Sequence, residues 1–143
     1  MNIKHVKVKD APVITHIAEN CAPLLRASVE GTYEFLARCF SNTFFVCETD
    51  NKLIGYIVGF PNTAIKGEFW IYQVGVLKDY RGKGVGSKLF EALFDQVKKE
   101  NYLRIRSHYI FTNKHSANLH AKFGMKVCGQ DDRGYFVEIN LNE

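Results

Sequence analysis

From Ile3 to Lys9 apolar and basic residues alternate, with Val6 and Val8 on one side and His5, Lys7 and Lys9 on the other. That period of two predicts a half-exposed strand. Asp10 follows as an N-cap candidate with Pro12 in the first turn, and Val13, Ile14, Ile17 and Ala18 recur at helical spacing to about Cys21. Pro23 and Gly31 punctuate the next stretch, after which Phe35, Leu36, Cys39 and Phe40 predict a second helix over Thr32 to Phe40. Two β-rich runs, Phe44 to Glu48 and Leu53 to Phe60, are joined by Thr49-Asp50-Asn51-Lys52 and read as a hairpin. An exposed loop from Pro61 to Gly67 leads into a central strand, Phe69 to Val76.

The helix that comes next has the clearest pattern in the chain. Val85, Leu89, Phe90, Leu93, Phe94 and Val97 form one apolar face, Asp95 and Lys99 are an i,i+4 pair, and Lys98-Lys99 sit at the negative end of the dipole. Tyr102 to Phe111 is strand-like, and Asn113 is placed to cap a short helix that ends at Gly124. Lys126 to Gln130 and Tyr135 to Asn140 then bracket a turn at Asp131-Asp132-Arg133-Gly134. The order is β-α-α-β-β-β-α-β-α-β-β, with no internal repeat.

Composition narrows the class. A chain of 143 residues with 46% hydrophobic and 24% charged residues is expected to fold as one domain, 1–143, around its own core. Nineteen Lys and Arg against 15 Asp and Glu give +4, a mild excess suited to holding one polyanionic small molecule and too sparse for a nucleic-acid reader. Cys21, Cys39, Cys47 and Cys128 are scattered without a C-x-x-C pair or an associated His spacing, so neither a zinc site nor a disulfide scaffold is indicated. Free thiols, no bilayer-length apolar run and no signal-peptide block point to the cytoplasm, with no membrane partner.

One segment carries chemistry. Three glycines at alternate positions in Arg81-Gly82-Lys83-Gly84-Val85-Gly86 link a strand to a strong amphipathic helix. Glycines let successive N–H groups turn to one point, and the helix start adds partial positive charge, so the loop is suited to a phosphate. A P-loop would need Ser or Thr after Gly82-Lys83, where Gly84 stands; a dinucleotide fingerprint read from Gly82 or Gly84 meets Ser87 or Leu89 where its third glycine belongs. The other reading of these residues is a tight connection with solvated charges.

The run Val74 to Leu89 closely resembles the acetyl-CoA signature of the GNAT N-acetyltransferases, whose core is Q/R-x-x-G-x-G/A. Asn113 to Met125 is similar to that family's second signature, N-x-x-A-x-x-L-Y-x-x-x-G-F, about 30 residues further on. The resemblance implies an α/β (α+β) fold, a mixed, mostly antiparallel twisted sheet of about seven strands flanked by about four helices. It implies an acetyl-CoA-dependent N-acyltransferase that acts on a primary amine of a small molecule or peptide in a ternary complex, without metal. The pyrophosphate of coenzyme A would lie on Arg81, Gly82, Lys83, Gly84, Val85, Gly86 and Ser87, with Arg81 the key side chain. Backbone groups of Val74 and Val76, at a bulge, would meet the pantetheine arm and the thioester oxygen, and Asn113 would line the channel or cap its helix. The alternative function is a CoA-binding or interaction module with the same fold and impaired catalysis.

His120 departs from the family, standing where most members carry a tyrosine that protonates the leaving thiolate. Its readings are an acid, or a packing residue beside Ala117 and Ala121 with Tyr109 as substitute donor. Glu68, at the start of the central strand, is the first candidate base, and Gln73 a candidate substrate contact. Glu30 and Glu34 would attract a cationic amine or form a solvated helix face, and Trp70 and Tyr72 would wall the pocket or pack in the core. The run around Gln73 resembles diaminobutyrate acetyltransferases over a short stretch, and the exposed C-terminal strands suggest a homodimer.

Overall fold

The computed structural model describes residues 1–141, and the last two positions of the expected 1–143 domain lie outside the described residues. The strands are β1 (Asn2–His5), β2 (Phe44–Thr49), β3 (Lys52–Pro61), β4 (Glu68–Val76), β5 (Arg104–Ile110), β6 (Lys126–Gln130) and β7 (Gly134–Asn140). The helices are α1 (Ala11–Asn20), α2 (Glu30–Cys39), α3 (Val85–Lys99) and α4 (Lys114–Lys122). They follow the expected order. The strands form one sheet, β1-β2-β3-β4-β5-β7-β6, in which β4 and β5 run parallel and every other pair is antiparallel.

Phe44 to Cys47 and Leu53 to Val58 are buried without alternation, because helices cover both faces of the sheet at β2 and β3. Adjacent residues of β3 show the two layers. Gly55 lies against Val85 and Leu89 of α3, whereas the ring of Tyr56 meets Tyr33 of α2. The six apolar residues that define the face of α3 are all buried. β6, at the sheet edge, is exposed along its length.

Local chemistry moved some boundaries. β1 stops at His5, because the Asp10 carboxylate accepts the Lys7 N–H at 2.8 Å and closes a 3-10 turn over Val8–Asp10. Asp10 therefore makes no side-chain cap on α1, correcting the expectation from spacing. The β2–β3 link tightens from four residues to two, since Thr49 pairs with Lys52 and leaves Asp50 (φ 50°) and Asn51 (φ 60°) left-handed, a conformation those side chains tolerate.

Two irregularities of β4 shape the centre. Val58 and Gly59 face Gln73 and Ile71, so Tyr72 is an extra residue and the bulge lies there, while Val74 to Val76 pair regularly with Ile57 to Gly55. The bulge expected at Val74 and Val76 thus sits earlier in the strand. On its other edge β4 pairs with β5 only from Glu68 to Trp70, opposite Arg104 to Arg106. Beyond that the strands diverge, and β5 continues alongside β7 as far as Ile110.

Candidate active site

The loop before α3 has the geometry of an anion site. Gly82 (φ 74°) and Gly84 (φ 86°) occupy the left-handed region, with no neighbour within 4 Å of the place a Cβ would take. Gly84 is the N-cap, and with no side chain to cap the helix, the N–H groups of Val85, Gly86 and Ser87 have no intrahelical acceptor. They open onto a groove of about 290 Å³ lined also by Arg81, Gly82, His115, Asn118 and Lys122. Lys122 of α4 reaches across to the Ser87 hydroxyl at 2.9 Å. Lys83 is absent from this lining and extends over the Tyr80 ring, 5.6 Å from its centroid.

Arg81 joins this groove to the strand end. Its Nε donates to the Val76 carbonyl at 2.9 Å and its Nη2 lies 3.4 Å from Cys21 Sγ. Leu77 donates its N–H to Ile54 of β3, so by strand alternation the backbone groups of Val74 and Val76 face the opposite edge, toward the gap between β4 and β5. The Val76 carbonyl is already engaged there by Arg81, leaving the N–H groups of Val74 and Val76 as the donors on that edge. Val74, Arg81, Gly86 and Asn113 line a narrow passage of about 70 Å³ that shares walls with the groove at one end. At the other end it shares Leu24, Val74 and Asn113 with a cleft of about 770 Å³ in the gap itself.

One wall of the cleft is the segment between α1 and α2, and Gln73 fixes it. The Gln73 Oε1 accepts from the hydroxyls of Tyr33 (2.8 Å) and Tyr56 (2.9 Å), while Nε2 donates to the Arg26 carbonyl at 2.8 Å. Burial first, and then the neighbouring Tyr33 hydroxyl, push the Tyr56 phenol up, so it stays a donor. Gly75 is required by this arrangement, since a Cβ there would meet the Tyr56 ring at 2.7 Å. Ser28 bonds Tyr33 and Tyr72, and Asn113 Nδ2 donates to Leu24. Asn113 also caps α4 by accepting the Ser116 N–H at 3.0 Å, so both of its sequence readings fit its position.

His120 is buried under the cleft floor with both nitrogens engaged. Its Nδ1–H donates to the Ser116 carbonyl at 2.7 Å, which leaves Nε2 to accept from the Ser107 hydroxyl at 2.8 Å. Burial lowers its pKa to about 4, only partly offset by the bond to Ser116. A neutral ring with its free nitrogen serving as an acceptor has no proton to give at pH 7, which goes against the acid role. Tyr109 packs on that ring at 5.3 Å and lines the cleft. Burial and the neighbouring Tyr135 raise its pKa, so it holds its proton.

Glu68 sits at the closed end of the β4–β5 gap, 2% exposed. Burial pushes its carboxyl up, but donors from Asn62 and Trp70, with Arg106 and Arg104 alongside, outweigh that and hold it below the usual range. Five residues of strand, one of them the bulged Tyr72, separate it from Val74, about 17 Å. Distance and a stabilised charge both argue against it as the base. Glu34 pairs with Arg38 on the exposed face of α2, and neither it nor Glu30 lines the cleft. The lining residues instead include two arginines, Arg26 and Arg133, and no Asp or Glu; neither arginine forms an ion pair among the described residues. Trp70 and Tyr72 do line it.

Ser107, His108, Lys122, Arg26 and Arg133 escaped the sequence reading, because each becomes a site residue only through contacts made far along the chain. For Ser107 and His108 a signal existed in the alternation of β5, which sends neighbouring residues to opposite faces of a strand next to the gap.

A family model described as Acetyltransferase (GNAT) family matches residues 13–125. The chain is 28% identical over 100 residues to L-2,4-diaminobutyric acid acetyltransferase of Marinococcus halophilus, covering 68% of this chain and 58% of that protein's length. Its fold is similar to Ard1 from Thermoplasma volcanium, with TM-score 0.88, 21% identity and coverage of 99% and 98% of the two chains. It also resembles diaminobutyrate acetyltransferase EctA from Paenibacillus lautus, solved with L-2,4-diaminobutyric acid and coenzyme A, with TM-score 0.87, 15% identity and coverage of 97% and 93%. With the family model spanning most of its length and the phosphate loop, divided sheet and cleft in place, the chain belongs to the acetyltransferase (GNAT) family.

Proposed function

We propose that this protein transfers an acetyl group from acetyl-CoA to the primary amine of a small molecule that also carries a carboxylate, by direct attack in a ternary complex. The observation that carries this reading is the continuity of the space, from the open N-terminus of α3, through the passage beside Val74 and Arg81, into the cleft between β4 and β5. The residues present fit the cosubstrate. Uncapped N–H groups on α3 with Arg81 and Lys122 beside them suit a pyrophosphate, and the narrow passage suits an extended arm. When bound, acetyl-CoA supplies the activated acetyl thioester.

The chain's own groups divide the remaining work. The N–H groups of Val74 and Val76 face the gap, where a donor fixed in advance stabilises developing oxyanion charge. Tyr109, protonated and on the same face of β5 as His120, is placed to give a proton to the departing sulfur. His120 and Ser107 hold that face together from beneath. Arg26 and Arg133 favour an acceptor bearing negative charge, which fits an amino acid better than a polyamine. The diaminobutyrate named for two of the similar proteins is of this chemical class. Four unpaired cysteines among the described residues fit a reducing, cytoplasmic setting.

The test is acetyl-CoA consumption against L-2,4-diaminobutyric acid, other diamino acids, polyamines and peptides with free N-termini. Turnover highest on an amine with a nearby carboxylate is the expected result. Preference for polyamines would overturn the carboxylate assignment, and coenzyme A binding with no turnover on any amine would leave a binding module.

A further inference from the structure

His108, on the strand that borders the cleft, makes one polar contact. Its Nε2 lies 3.0 Å from Asp131 Oδ1, in the turn between β6 and β7. A carboxylate only accepts, so the bond places the proton on Nε2 and leaves the lone pair on Nδ1. Nδ1 has no hydrogen-bond partner among the described residues and is not among the buried unsatisfied atoms, so it is open to solvent. Asp131 is itself fixed, accepting the N–H groups of Arg133 and Gly134 at 2.9 and 2.8 Å. The His108 bond first, then those two, lower the Asp131 pKa to about 2, so it is charged at any working pH.

The alternation of β5 decides what His108 faces. Ser107 and Tyr109 turn toward α4, meeting His120. Arg104, Arg106 and His108 turn to the other face, with Glu68, Trp70, Glu138 and Phe136. The two histidines therefore stand on opposite sides of one strand. His120 lies under the cleft floor on the α4 side, sealed and neutral, whereas His108 is on the side of the α1–α2 segment and the β6–β7 turn, which wall the cleft. The charged groups on its side are Asp131 in contact, the Arg106–Glu138 pair next along β5 and β7 with Glu68 and Arg104 beyond it, and Arg133 and Arg26 among the residues lining the cleft.

Resting on the acetyl-transfer reading, we propose that His108 is the general base, taking the acceptor's proton at Nδ1, and that Asp131 is its positioning residue. An acceptor ammonium must lose two protons overall. One passes to His108 Nδ1 and on to water, freeing the lone pair that forms the C–N bond. The other leaves the nitrogen as the C–S bond breaks and ends on the sulfur, so the products are an amide, coenzyme A thiol and one proton in solution. Asp131 holds the ring in the accepting tautomer and stabilises the imidazolium, as a carboxylate partner does for a histidine base.

The test combines two readouts on the full chain. Ring nitrogen NMR of the free protein should show His108 protonated at Nε2, a tautomer kept in D131N, whose amide oxygen still accepts at the same position, and becoming mixed in D131A, which removes the acceptor. For the amine with highest wild-type turnover, H108Q should lower kcat/KM by about 10²- to 10³-fold and remove its acid limb, with a smaller loss in D131N and unchanged coenzyme A affinity by calorimetry. An Nδ1–H tautomer, or wild-type turnover in H108Q, would overturn this proposal alone. Absence of wild-type turnover on every amine would overturn the acetyl-transfer reading, and this proposal with it.

Discussion

The hydroxyl of Ser107 donates to Nε2 of His120 across 2.8 Å, joining β5 to α4 in a layer where both side chains are 2% exposed. The bond makes His120 part of the framework rather than a proton donor. Its folded pKa of about 4 lies below the ordinary histidine value of about 6.5, so between those values the unfolded chain binds the proton more readily. Stability is therefore expected to fall as pH drops from about 6.5 toward 4, by up to about 3 kcal/mol from this residue. Urea unfolding across that range, compared with His120→Gln, measures it. The variant should show a flatter profile, and equal profiles would rule the assignment out.

Glu68 is expected to act on stability and not on chemistry. Glu68→Gln leaves two arginines without their buried counter-charge and should cost about 1–3 kcal/mol, read as a lowered unfolding midpoint. The pH dependence of turnover should keep its shape. Loss of the acid limb in this variant would return Glu68 to consideration as the base.

Gln73 should control the acceptor side through the α1–α2 segment. Gln73→Leu removes the acceptor for the Tyr33 and Tyr56 hydroxyls and the donor to Arg26, so about 1–3 kcal/mol of stability should go with it. Amide exchange from Leu24 to Val29 should accelerate, and KM for the amine should rise more than that for acetyl-CoA.

Gly84 tests the phosphate loop. At φ 86° an alanine costs about 1–2 kcal/mol and turns the first N–H groups of α3 away from their common point. Gly84→Ala is expected to weaken coenzyme A binding at least tenfold by calorimetry, while the same substitution at Gly31, exposed with no neighbour within 4 Å, leaves it unchanged.

Most of the fold was legible because its signals are local. Periodicity placed α3 and its six buried residues correctly, and the runs that became β2 and β3 stood out by β-rich composition. Where a local competitor existed the reading slipped, as at Asp10, whose carboxylate serves Lys7 and closes a turn instead of capping α1.

The family resemblance and the glycine loop were legible without the fold, since glycines that permit left-handed backbone and an amphipathic helix behind them are properties of consecutive residues. The surroundings of the titratable candidates came from tertiary contacts alone. The fold paired Glu68 with two arginines from β5, sealed His120 against Ser107, and opened a cleft where β4 and β5 part, with His108 on its border and Asp131 behind. A titratable group's role depends on its burial and partners, and those are set by residues distant in the chain.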